Sequence, residues 1–172
     1  MSAARRGLAR RRARGERGAG LVEFTIIVPL FLLMIFGMIE FGYDYNNYVS
    51  IRNGAREGAR LGVVNDVNSA PSCTIAGSTV TPPANPTSAS DSANALVCKT
   101  KDRVGLGGSV KVEIVRGANP GDSLQVCAEI PVKSITGIIA PFVAGKSLHT
   151  SVTMRLEQTP KFQDFSAEGS VC

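Results

Sequence analysis

Apolar positions follow three regimes along the chain. From Leu21 to Phe41 they are nearly continuous, interrupted only by Glu23, Thr25, Pro29, Gly37 and Glu40. A helix of these 21 residues is about 31 Å long at ~1.5 Å per residue, enough to cross a bilayer core. No small-x-small cleavage site follows the run, as it would after a removable secretory signal, so the segment is expected to stay attached. Pro29 removes one backbone hydrogen bond and is expected to loosen the first third of the helix.

From Asp44 to about Val64 the spacing becomes that of an amphipathic helix. Phe41, Tyr45, Tyr48, Ala55 and Ala59 recur at intervals of three, four or seven and describe one face. Arg52, Arg56 and Arg60 describe a second face, expected to be solvated, and Gly54, Gly58 and Gly62 a third. An interior glycine costs a helix about 1 kcal/mol relative to alanine. Three in register therefore predict a helix-packing face, approached by the chain's own strands or by a partner helix in the small-xxx-small manner.

Residues 65–100 are rich in Ser, Thr, Pro, Ala and Asn, with Pro71, Pro82, Pro83 and Pro86, and predict an extended loop. Beyond it the period becomes two. Ser109–Val115 and Ser123–Ile130 alternate on either side of Asn119-Pro120-Gly121-Asp122, which predicts an antiparallel hairpin. Val132–Val143 predicts a short helix, Ser147–Glu157 a third strand, and Pro160–Cys172 an irregular tail. The fold class is α+β: a long N-terminal transmembrane helix continuing into a small antiparallel β-sheet head. The segments are 1–18, a basic leader; 19–42, the membrane helix; 43–64, its extension; 65–108, the loop; and 109–172, a small β-rich domain.

Charge orients this layout. Residues 1–18 carry seven arginines and one acid, a net +6, whereas the whole chain is +5, so the remainder is −1. Positive charge beside a span holds that flank in the cytoplasm, which places the C-terminal domain outside it. With an apolar run directly behind it, the arginine arm reads as a topology signal rather than a nucleic-acid-binding arm. Cys73, Cys98, Cys127 and Cys172 all lie beyond the span, as suits an oxidising compartment, and allow two disulfides in three connectivities. Proximity along the chain favours Cys73 with Cys98, at the base of the loop, and Cys127 with Cys172. The spacings do not suit zinc, and the single histidine, His149, adds no metal cluster.

Glu23 is the anomaly. An acid at mid-span costs about 2.5–3.5 kcal/mol on insertion scales and less near the edge. Snorkelling to the interface and the positive helix N-terminus both ease that cost. Gly18 lies five residues before it, with Ala19 next and Phe24 after. This junction resembles the processing site of type IV prepilins, and most closely the TadE-like proteins of tight-adherence (Flp-type) pilus systems. Val28-Pro29-Leu30, Phe36–Gly42 and Asn53–Arg60 resemble the same family's span, its exit and its post-membrane helix. The resemblance implies cleavage by a membrane-embedded prepilin peptidase after Gly18, leaving Ala19 as the new amino terminus and Glu23 as the signature carboxylate for processing or assembly. Gly20 offers a second cut, which would leave Glu23 third instead of fifth. The partners implied are the membrane, the peptidase, other pilins and the pilus assembly machinery. The location implied is the cell membrane, with incorporation into a surface pilus.

No nucleophile elbow, phosphate-cradling glycine loop or histidine–carboxylate metal cluster occurs in the sequence. Gly105-Leu106-Gly107-Gly108 lacks the lysine of a phosphate loop and leads into a predicted strand, so it reads as a turn. The expectation is a non-enzymatic protein with no cofactor and no small-molecule substrate: a pilus assembly protein or minor pseudopilin. The alternative is an unprocessed, single-pass adhesive or sensory ectodomain.

Overall fold

The computed structural model describes residues 5–106 and 109–172, with side chains from residue 18 onward except that of Ala19. Gly107 and Gly108, half of the expected turn, lie outside the described residues, as do the side chains of the leader arginines. The chain divides into two units, Met1–Gly42 and Tyr43–Cys172.

The first unit is helical. Helix α1 (Arg5–Val63) runs through Pro29 and carries on into the second unit. Proline deprives the carbonyl four residues back of its donor, and here that residue is Thr25. The Thr25 hydroxyl itself donates to the Leu21 carbonyl at 2.7 Å, which satisfies it without water, as an apolar medium requires. Leu21, Phe24, Ile26, Leu30, Phe31 and Leu33 are each more than half exposed. They point around the whole helix circumference. A helix apolar on every side is one built to be covered by lipid or by other helices. Among the described residues, α1 is the one helix long and apolar enough to cross a membrane.

The second unit packs two helices on an antiparallel sheet, with a small hairpin beside them. Strands β1 (Cys73–Ile75) and β2 (Ser78–Val80) form that hairpin. Its turn uses Ala76 and Gly77, both at positive φ, the backbone a two-residue hairpin needs. Helix α2 (Ala89–Val104) follows. Strands β3 (Lys111–Arg116), β4 (Ser123–Pro131) and β5 (Ser147–Arg155) make a three-stranded sheet in the order β3-β4-β5. A four-residue helix, α3 (Ala140–Val143), lies in the β4–β5 connection. The α+β class read from the sequence is the class found.

Helix α2 corrects the reading of residues 65–100 as loop. Its start is fixed by Ser88, whose hydroxyl accepts from the Asp91 amide at 3.0 Å and donates to the Asp91 carboxylate at 2.7 Å. This N-cap satisfies one of the orphan donors of the first turn. Gly105 ends the helix in the left-handed region at φ 71° and donates to the Lys101 carbonyl, an ordinary αL cap. Ala93, Leu96, Val97, Thr100 and Val104 are buried at helical spacing. Small and polar residues around them mask that period in the sequence.

Core residues come from both helices and the inner sheet face, including Ile51, Ala55, Leu96, Val112, Ile114, Leu124 and Val126. The C-terminal segment is integrated rather than loose. Phe162 is fully buried, and Phe165 pairs with Ile114 through two backbone hydrogen bonds of 2.9 Å. Residues 162–168 thereby cover the outer edge of β3. Such cover removes a row of unpaired donors and acceptors that would otherwise invite another strand.

Candidate functional site

The junction residues Gly18, Ala19, Glu23 and Phe24 fall on consecutive turns of α1. Ala19 and Glu23 are four residues apart, so a helix sets them one above the other on a single face. The side chain of Ala19 lies outside the described residues. Glu23 and Phe24 are exposed, and an added Cβ at Gly18 or Gly20 would meet nothing within 4 Å. The two glycines weaken the helix where a cut would fall, by about 1 kcal/mol each.

The glycine row on α1 has a definite neighbour within the second unit. A Cβ at Gly54 would strike Val104, coming within 2.8 Å of its backbone nitrogen. One at Gly58 would strike the Thr100 side chain, and one at Gly62 would come within 2.6 Å of Leu124 and 3.1 Å of Leu96. As the α1 position rises by four (54, 58, 62), the α2 position falls by four (104, 100, 96). The two helices therefore run antiparallel and advance turn against turn, with Leu124 of β4 closing the last contact. Buried Thr100 donates its hydroxyl to the Leu96 carbonyl at 2.8 Å, and both its hydroxyl oxygen and its methyl lie against Gly58.

The face expected around Tyr45 and Tyr48 is displaced. Ile51, Gly54, Ala55, Gly58 and Ala59 are buried, whereas Tyr45 and Tyr48 are exposed. The packing face centres on Ile51, between the glycine and alanine rows, and the tyrosines fall at or beyond its border. Arg52, Arg56 and Arg60 are exposed, and Arg60 pairs with Glu57 at 3.2 Å. Two residues beyond the end of α1, Asn65 takes φ 54°, and its side chain bonds the Thr159 carbonyl and the Lys161 amide. That ties the start of the tail to the helix end.

Cys73 bonds Cys98, and Cys127 bonds Cys172, with no free cysteine. The first bridge joins β1 to α2, and the second joins the outer face of β4 to the tail. Beside the second bridge, the Glu113 carboxylate accepts from the amides of Val171 and Cys172 at 2.6 and 2.7 Å.

Sequence reasoning passed over the most connected polar group of the head. Lys101 and Glu168 form an ion pair of 2.7 Å with both side chains buried. Lys101 also donates to the Thr74 carbonyl at 2.7 Å. Glu168 further accepts from the Ala76 amide at 3.2 Å and the Val112 amide at 3.0 Å. A buried pair repays its desolvation only with good geometry and added hydrogen bonds, and here both partners have them. The network joins β1, the β1–β2 turn, α2, β3 and the tail. Nothing local in the sequence marks these two residues, since their partners lie 27 to 92 positions away.

No group of three or more His, Cys, Asp or Glu side chains is placed to hold a metal among the described residues. His149 is exposed on β5, opposite Glu129 in the register. No curated protein and no solved structure matches the chain. Residues 61–172, which hold most of the head, lie beyond the one matched region. Residues 18–60, from Gly18 through the apolar run and into the glycine row, match the family model described as TadE-like protein, and by that segment the chain is similar to the TadE-like family.

Proposed function

We propose that this protein is a TadE-like minor pseudopilin that contributes to the assembly or the tip of a tight-adherence pilus. The observation that carries the reading is the match over residues 18–60, which opens on Gly18 and keeps Glu23 at the fifth position after it. In this reading a prepilin peptidase removes the arginine leader and frees the Ala19 amine. That ammonium lies one turn from Glu23, or beside the Glu23 of a neighbouring subunit, and offsets a carboxylate otherwise costly in lipid. The apolar part of α1 anchors the protein by a single pass, with the leader cytoplasmic and the head outside. Two disulfides with no free thiol suit that oxidising side. The role is structural and non-enzymatic, and its partners are other pilins and the assembly machinery.

A second reading, an unprocessed membrane-anchored ectodomain, draws on the unbroken helix across Gly18 and Ala19. Cleavage requires that helix to open, and the glycines at 18 and 20 lower the cost of opening.

Co-expression with a prepilin peptidase followed by intact-mass measurement separates the two. The expected product begins at Ala19, and a mass beginning at Leu21 would move the cut to Gly20. An intact arginine leader would reject the pilin reading. Glu23→Gln is expected to mature or assemble poorly, and wild-type behaviour would leave Glu23 as a snorkelling acid only.

A further inference from the structure

The β4–β5 connection is unlike the rest of the head surface. Ile135, Ile138 and Phe142 are 57%, 46% and 77% exposed, within one continuous stretch. Lys133 precedes them, Lys146 follows, and no acid occurs between Ile130 and Leu148. The Val132 amide donates to the Lys146 carbonyl at 2.9 Å, which closes the loop at its base. The two lysines are thus brought together at the base, and the apolar side chains occupy the projecting part. Exposed apolar residues grouped in this way mark an interaction surface.

The position of the loop within the head identifies the partner. Tyr43 and Asn47 open the second unit, and they line one cleft together with Ile130, Pro131 and Lys133. The base of the loop therefore sits at the end of the head where α1 enters, next in the chain to the apolar run. We propose that this loop is a membrane-interface anchor, with Ile135, Ile138 and Phe142 entering the outer leaflet and Lys133 and Lys146 meeting anionic lipid phosphates.

The chemistry fits each part. An apolar tip buries ~5–10 Å into the boundary between headgroups and acyl chains. Lysine stems lie along that boundary with their ammonium groups at phosphate level. The span tethers the loop at high effective concentration, so weak intrinsic affinity is enough to keep it docked. The inference rests on residues 20–42 being a membrane span.

The chain contains no tryptophan, so a single substitution gives a unique fluorescent reporter. Phe142→Trp, Phe31→Trp and Val115→Trp, each in the full chain, are reconstituted into phosphatidylcholine vesicles with or without phosphatidylglycerol. A matched set carries bromine on the acyl chains. Phe31→Trp reports the span, and Val115→Trp, at an exposed position of β3, reports the head away from the loop. The expected result is blue-shifted emission, quenched by bromolipid, for Phe142→Trp and Phe31→Trp but not for Val115→Trp. Adding Lys133→Gln or Lys146→Gln should lower the docked-to-undocked ratio about fivefold per lysine in anionic vesicles.

Unquenched, water-like emission from Phe142→Trp beside a quenched Phe31→Trp would overturn the anchor and leave the span intact. An unquenched Phe31→Trp would reject the span, and the anchor with it. Equal quenching at Val115→Trp would mean that the whole head lies on the bilayer, which overturns a loop-specific anchor. A blue shift at Phe142→Trp that grows with protein density, without quenching, would assign the patch to contacts between heads instead.

Discussion

Gly37 and Gly54 are both helical glycines of α1, seventeen positions apart, and they live in opposite surroundings. A Cβ at Gly37 would meet nothing within 4 Å, whereas one at Gly54 would press on the backbone of Val104. The apolar stretch around Gly37 leaves its large side chains uncovered and depends on a medium from outside the chain. The stretch around Gly54 is covered by the chain's own second helix. A glycine in an apolar run and a glycine in a polar run thus carry different information. Only the second, repeated every four residues without an apolar face to explain it, records a neighbour at backbone distance.

The largest effect expected from testing that contrast lies in the head, in the ion pair that holds α2 in place beneath the glycine row. Lys101→Met leaves Glu168 buried without its cation and should destabilise the head by about 3–5 kcal/mol, read by denaturant unfolding followed by near-UV circular dichroism. The double variant Lys101→Met with Glu168→Gln should recover part of that loss. No recovery would mean that the backbone bonds of Glu168, rather than its charge, hold the tail.

Next comes the glycine pair itself. Gly54→Ala gains about 1 kcal/mol of helix propensity, but the clash with Val104 costs about 1–3 kcal/mol, and besides a side-chain methyl the atoms met are the Val104 nitrogen and Cα, backbone that cannot rotate aside. A lowered unfolding midpoint is expected for Gly54→Ala, and an unchanged or raised one for Gly37→Ala. Equal responses would erase the distinction between the two stretches. The smallest effect belongs to the start of α2, where Ser88→Ala should cost about 1 kcal/mol, visible as a modest fall in thermal midpoint.

Much of the architecture is written in local patterns. The apolar run and the i, i+4 rows mark α1. Period-two alternation around Asn119-Pro120-Gly121-Asp122 marks β3 and β4, and alternation through Leu148, Val152 and Met154 marks β5. Helix α2 escapes because its core positions are filled by Ala, Thr, Val and a single Leu among Ser, Asn and Asp, a composition shared with loops. The neighbour of the glycine row escapes with it, since a row that expects close contact cannot name a helix that has not been recognised. The Lys101–Glu168 network and the buried Phe162 escape for a different reason. Their partners are distant in sequence, and a charged residue gives no periodic sign of being inside. At the junction, the residue types of Gly18, Ala19 and Glu23 are legible, but the chemistry proposed for them lies outside the chain, in an encounter with a peptidase and a bilayer.

The tail laid along β3 also sets an order of events. The contacts α1–α2, β3–β4 and β4–β5 can all form from the chain up to residue 155, but the cover on β3 waits for Phe162, Phe165 and Glu168. While the chain is being made, each head therefore passes through an interval in which β3 presents an open hydrogen-bonding edge. Two crowded copies caught in that interval could trade strands, so the tail works as a timed shield against mispairing between nascent chains.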